Sequence, residues 1–256
     1  MKFKGVNFFF LILIGLTVVC VVADLLPFWL ILIECLIGVG ITVYGVVEIR
    51  ANYFIKAFHQ GEQKEKVIAL TFDDGPTNYT PRIVEILEQN QATATFFCIG
   101  KQIKEYPEIV AMLHQKGHLV GNHTYNHSPL NGFYSAQKIE EEIRLTDQAI
   151  QEVIGKSTRL FRPPFGVTNP HIAKALAKTK HQTIGWKIRS LDTVIEEEQK
   201  LLQRIISQLE PGAIVLMHDT SDKTANVLQQ LFNYLKENNY TVVSLDKLLK
   251  INGYEA

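Results

Sequence analysis

The 256-residue chain is poor in cysteine, tryptophan and methionine, and it carries no net charge. Cys20 and Cys35 lie in an apolar N-terminal region and Cys98 closes another apolar run. No spacing among the three fits a disulfide framework or a thiolate metal site, and Cys98 reads as a small buried hydrophobe. Basic and acidic residues balance at 26 each, which leaves no footprint for nucleic acid. Internal repeats and low-complexity tracts are absent, so solenoids and arrays are excluded. The length fits one globular domain of about 200 residues with an extension.

Charge is scarcest at the N-terminus. Asn7–Ala23 has none and Phe28–Val47 has only Glu34, with Asp24–Pro27 as a short break between them. Each run approaches the roughly 20 apolar residues that span a bilayer. Lys2 and Lys4 precede the first run, and Val21-Val22-Ala23 resembles a signal cleavage site, but a second apolar run so close behind argues for retained membrane helices. Glu34 is costly in lipid unless it faces a partner helix. Residues 1–50 are therefore read as a membrane anchor of one or two spans, 51–65 as a linker, and 66–256 as the globular domain.

That domain is organised around VIALTFDDGP, Val67–Pro76. A strand-length apolar run bounded by Gly75-Pro76 fits a buried parallel strand, with Asp73 and Asp74 at its carboxyl end. This is the edge where α/β folds place chemistry. A lone Asp-Asp is more often a solvated turn, so its weight comes from the residues at the ends of later strands. Further strands are predicted at Ala94–Ile99, His118–Asn122, Leu160–Phe161, Thr183–Ile188, Ala213–Met217 and Thr241–Leu245. Helices are predicted at Pro81–Gln89, Pro107–Lys116, Ser135–Ile154, Pro170–Lys178, Ile195–Leu209, Thr224–Glu237 and Leu245–Ile251. The alternation implies a parallel α/β sheet, open or closed into a barrel.

Three more strand ends carry candidate chemistry. His123 and His127 follow the third strand in GNHTYNHSP, and two imidazoles with one carboxylate leave the open fourth position that suits catalytic zinc. Arg162-Pro163-Pro164-Phe165-Gly166 is a turn stiffened by prolines, whose arginine can steady a neighbouring carboxylate. Ile214–Met217 ends in His218-Asp219, and a histidine there can serve as a general acid. His59, His114, His118, His171 and His181 have no such setting and read as surface or structural. Trp186 and Phe96-Phe97 read as core.

TFDDGP, HTYNH, RPPFG and IVLMHD, in this order over Lys66–Leu249, resemble the polysaccharide deacetylase family, carbohydrate esterase family 4. The resemblance implies a distorted (β/α)7 barrel and metal-dependent removal of N-acetyl groups from a glycan. It makes Asp74, His123 and His127 the ligands of zinc or another divalent transition metal, and Asp73 the general base oriented by Arg162. It assigns the Phe165 amide to the oxyanion and His218 to protonation of the leaving amine. The expected partner is an N-acetylated polysaccharide of the cell wall, peptidoglycan before any other. That substrate places the domain outside the cytoplasm, although Lys2, Lys4, Arg50 and Lys56 at both ends of a hairpin point the other way. Chitin-like oligomers and O-acetyl esters are alternative substrates.

One motif departs from the pattern. Where the family usually reads Asp-Ser-x-Asp-Trp, this chain has Arg189-Ser190-Leu191-Asp192-Thr193. If the first Asp tunes the catalytic histidine, Arg189 in its place should lower the pKa of His218, weaken turnover and shift the optimum to lower pH. Asp192 replaces it only if the loop is rearranged. A catalytically weak carbohydrate-binding relative is accordingly the competing reading.

Overall fold

In the computed structural model, which describes residues 2–255, two long helices come first: α1 (Lys2–Val22) and α2 (Trp29–Val47). They run antiparallel, since Phe10 packs on Gly38 at mid-helix and Thr17 meets Glu34 nearer the tip. Glu34 turns toward α1, where its Oε1 accepts a 2.7 Å hydrogen bond from the Thr17 hydroxyl. Most other side chains of the pair are exposed and apolar, and both helices are long and apolar enough to cross a membrane.

After a two-residue strand β1 (Ala57–Phe58) the chain alternates regularly. β2 (Val67–Asp73), α3 (Thr80–Gln89), β3 (Thr95–Cys98), α4 (Gly100–Glu105), α5 (Pro107–Gln115) and β4 (Leu119–Asn122) form the first half. α6 (Ala136–Ile154), β5 (Leu160–Phe161), α7 (Pro170–Thr179), β6 (Gln182–Ile184) and β7 (Ile188–Arg189) continue it. α8 (Glu198–Ile206), β8 (Ile214–His218), α9 (Asp222–Glu237), β9 (Thr241–Val242) and α10 (Leu245–Leu249) complete the domain. The Ser135 hydroxyl caps α6 by accepting from the Lys138 amide, and Gly155 ends it at φ 68°.

Every strand pairing is parallel, in the order β1-β6-β5-β4-β3-β2-β8-β7, with β9 also on β2. β2 is buried from Ile68 onward, yet its side chains still alternate. Ile68, Leu70 and Phe72 join the large outer core under the helices, with Val215 and Met217 of β8. Ala69 points the other way into the barrel, where Phe97, Leu160, Ile184, Ile214 and Leu248 fill the lower end. Small Ala69 and Thr71 leave room above that layer, and register sets Asp73 beside His218 on β8 and beside Phe97 on β3.

Two expectations change. The single strand expected at Thr183–Ile188 is two, because the carbonyls of Ile184 and Gly185 accept from Arg162 instead of continuing a ladder. The chain thereby leaves β5 at β6 and joins β8 at β7, which curls the sheet into a distorted barrel. The segment expected to be a linker, 51–65, contains β1, which pairs with β6 through Ala57–Thr183 and Phe58–Ile184. Gln60 then bridges Ala213, so this segment closes the gap between β6 and β8. Two residues are too few to show a period. The six-residue α4 was missed for the same reason.

If β1 is part of the domain, its removal must show. A soluble form begun at Lys66 loses buried Ile49, Ala57 and half-buried Phe58. With each fully buried large apolar side chain worth about 1.5–3 kcal/mol and each kcal/mol about 2–4 °C, that form should melt roughly 5–20 °C below one begun at Glu48. Equal melting temperatures would mean that 48–65 is a linker after all.

Candidate active site

Four loops meet at the carboxyl ends of the barrel strands, and several of their residues are held at positive φ. Asp74 (72°), Thr124 (66°), His127 (46°), Phe165 (59°) and Leu191 (63°) are all non-glycine residues in the left-handed region. Such backbone is uncommon and persists where surroundings over-determine it. Here it turns side chains inward to a cleft of about 220 Å³ lined by Asp73, Asp74, His123, His127, Phe165, Trp186, Arg189, Leu216 and His218. Larger surface grooves exist, such as one beneath Gln63 and Leu248, but none gathers comparable chemistry.

Asp74, His123 and His127 offer ligand atoms within 4.8 Å of one another. Asp74 Oδ1 lies 3.5 Å from His123 Nε2 and 3.3 Å from His127 Nε2. That oxygen is buried and has no hydrogen-bond partner, which is costly unless a cation sits against it. His123 Nδ1 is 2.7 Å from the Arg162 carbonyl, an acceptor, so the proton belongs on Nδ1 and the Nε2 lone pair faces Asp74. Burial, with the His127 charge adding to it, lowers the His123 pKa to about 3, which keeps the ring neutral. The set fits a divalent metal, and one carboxylate with two imidazoles is a donor set suited to zinc.

Asp73 stands beside this set, with Oδ2 3.7 Å from His123 Nε2. Its Oδ1 accepts from Arg162 Nη1 at 2.7 Å. Arg162 is fully buried, and its other donors reach the Thr71 hydroxyl (2.8 Å) and the Ile184 and Gly185 carbonyls. The guanidinium lies 4.2 Å over the Phe97 ring. Burial pushes the Asp73 carboxyl above its usual range, against the pull of Arg162.

His218 completes the cleft, and its partner corrects the expectation built on Arg189. Asp192 Oδ1 is 2.7 Å from His218 Nδ1, and Asp192 Oδ2 accepts the His218 amide at 2.7 Å. Ser190 and Thr224 hydroxyls donate to the same carboxylate. Burial opposes the imidazolium, but the Asp192 bond and charge, helped by Asp73 and Asp74, outweigh it and raise the His218 pKa to about 9. Arg189 instead lies over Trp186, with its guanidinium 5.7 Å from the ring. The left-handed turn at Leu191 swings Asp192 back to β8. The sequence signal was the Ser-x-Asp spacing, Ser190 to Asp192, read from its wrong end. Asp219 turns away, accepting from the Thr80 hydroxyl. Trp186, expected as core, is buried but also walls the cleft. His118 is structural as expected: its Nδ1 accepts the Ala94 amide.

Comparison with known proteins places the chain in a family. A polysaccharide deacetylase family model covers residues 60–184. The chain is 33% identical over 198 residues to the peptidoglycan-N-acetylmuramic acid deacetylase PdaA of Bacillus subtilis, covering 75% of each chain. A solved peptidoglycan N-acetylglucosamine deacetylase superposes with a TM-score of 0.73 at 25% identity, over 77% of this chain and 94% of that one. A pseudoenzyme of carbohydrate esterase family 4 from Bacillus anthracis superposes with a TM-score of 0.70 at 32% identity, over 75% and 68%. The chain belongs to the polysaccharide deacetylase family, a family of metal-dependent amide hydrolases that also holds inactive members.

The His218 arrangement sets a pH dependence. A histidine whose pKa is raised on folding adds stability that is fully present below its unfolded value near 6.5 and is lost as pH rises through about 9. With His218 as the proton donor that the resemblance implies, the falling limb of the pH–kcat profile should lie near 9 rather than below neutrality. Asp192→Asn should bring that limb down by at least one unit, whereas Arg189→Gln should leave it in place. A limb that follows Arg189 and ignores Asp192 would restore the first expectation.

Proposed function

We propose that the chain is a zinc-dependent N-deacetylase of peptidoglycan amino sugars, held at the membrane by its N-terminal helices. The reading rests on one observation: a metal-fitting triad, a buried carboxylate and a charged imidazole share a single cleft. A metal held by Asp74, His123 and His127 would supply Lewis acidity to an amide carbonyl, a poor electrophile by itself. Asp73 takes a proton from the attacking water, and its raised pKa makes it the stronger base. Arg162 holds the carboxylate in place from inside the barrel. The Phe165 amide, at the left-handed turn beside His127, is assigned to the oxyanion. The His218 imidazolium donates to the departing amine, and Asp192 fixes its orientation.

The pseudoenzyme among the structural neighbours makes a binding-only role the competing reading. The Asp192–His218 bond favours turnover, because it supplies the acid whose loss was expected from Arg189. Peptidoglycan is preferred over chitin-like oligomers because relatives of similar length are named for it.

Roles separate by mutation. Asp74→Ala or His123→Ala should lose bound zinc, and chelation of the wild type should abolish acetate release until zinc is restored. Asp73→Asn should keep zinc and lose ~100- to 10,000-fold in turnover. A fully active Asp73→Asn protein would remove the base assignment.

Two spans would put both ends of the hairpin and the domain on one face of the membrane, a reading supported by the Lys2 Nζ donation to the Ala51 carbonyl at 2.9 Å. We place that face outside, on the location of wall polymer and against the charge bias. Protease added to intact cells should digest residues 66–256. Protection until lysis would put the domain in the cytoplasm, away from finished wall.

A further inference from the structure

The apolar helix hairpin is docked on the active-site end of the barrel, not tethered to it by a loose chain. The Thr168 amide donates to the Val46 carbonyl (2.9 Å), and its hydroxyl donates to the Gly45 carbonyl (3.1 Å), both in the last turn of α2. Gly45 itself lies under the Tyr53 ring, with which any Cβ would collide. Two residues past α2, Ile49 is buried in one cluster with Ala57, Trp186 and Leu216. Trp186 and Leu216 are also walls of the cleft. One layer of side chains therefore separates the end of α2 from the substrate site.

Length fixes where that places the cleft. The 19 residues of α2 rise about 28 Å, close to the roughly 30 Å hydrocarbon core of a bilayer. Its last turn then ends at the edge of the hydrocarbon, and the cleft begins in the headgroup layer, about 5–8 Å thick.

An apolar rim continues the same face. Phe133 is 88% exposed and Leu130 60%, the former among the most exposed large apolar side chains of the domain. They flank Gly132, whose carbonyl accepts from the Asn169 side chain (2.7 Å), next to the Thr168 that grips α2. Aromatic and aliphatic side chains projecting beside a membrane helix are what an interfacial contact requires. Inside the rim, the Arg189 guanidinium lines the cleft, lies over Trp186 and makes no salt bridge among the described residues. A planar cation left without a counter-charge suits a phosphate.

We infer that the site takes an N-acetylated amino sugar still joined through a phosphate to a membrane lipid, with Leu130 and Phe133 seated in the bilayer surface and Arg189 on the phosphate. This rests on the deacetylase reading and narrows its substrate to a wall precursor carried in the membrane. Hydrolysis consumes one water, breaks the amide C–N bond, releases acetate and leaves the free amine on its lipid. The reactions that supply and consume such a substrate are lipid-linked sugar transfer and polymerisation.

The test uses the full chain, loaded with zinc, in vesicles of phosphatidylethanolamine and phosphatidylglycerol. One probe is N-acetylglucosamine 1-phosphate esterified to a polyprenyl chain in the same vesicles; the other is soluble N-acetylglucosamine tetramer. Acetate release should show kcat/KM at least ~10-fold higher for the lipid-linked sugar, because enzyme and substrate share a surface. The double variant Leu130→Ser, Phe133→Ser should lose ~10-fold on the lipid-linked probe and nothing on the tetramer. Arg189→Gln should lower the ratio of the two activities with no shift of the falling pH limb. Release from the tetramer alone, equal efficiency on both probes, or a double variant that keeps the preference would overturn the inference and leave the deacetylase reading standing. Release from neither probe by zinc-bound protein would overturn both.

Discussion

The pairing of Arg162 with Asp73 inside the barrel is the constraint on which the rest depends. Burying a carboxylate and a guanidinium is expensive unless their remaining donors and acceptors are filled. Here Arg162 directs its donors to Asp73, Thr71, Ile184 and Gly185, and its face to Phe97. The consequences spread outward. Taking the Ile184 and Gly185 carbonyls ends β6, lets the chain cross to β8 and so shapes the barrel. The Arg162 carbonyl sets the His123 tautomer. One residue thus ties the closure of the sheet to the Asp73 carboxylate and to the His123 ring.

Two imidazoles in the same cleft are driven in opposite directions by what surrounds them. His123 is buried and hydrogen-bonded to a neutral carbonyl, so it stays uncharged and can act as a ligand. His218 is bonded to a carboxylate and faces two more, so it holds its proton. Separated pKa values of this kind divide roles among chemically identical side chains. The division requires no difference in residue type.

The N-terminal helices belong to the same mechanical unit. The last turn of α2 is bonded to Thr168, and Ile49 packs under Trp186 and Leu216, so the cleft wall and the hairpin share contacts. A hairpin held this way has a fixed position relative to the cleft. A flexible linker would leave that position free.

Much of the domain was legible in the sequence. An apolar run of strand length ending in Asp73-Asp74-Gly75-Pro76 determined a buried strand with carboxylates at its carboxyl end, because period, burial and breakers are local properties. The alternation of runs determined a parallel α/β domain, and His123, His127, Arg162 and His218 stood at strand ends by the same logic. Glu34, the one charge in an apolar run, called for a partner on a neighbouring helix, and Thr17 meets it. Tertiary structure alone decided the rest. Which carboxylate serves His218 depends on a backbone turn at Leu191, and a motif does not contain a φ angle. Ala57-Phe58 became a strand only because the interrupted β6 left an edge to pair with. The docking of α2 on Thr168 joins residues more than a hundred positions apart, and no local pattern encodes a contact whose two halves are each ordinary by themselves.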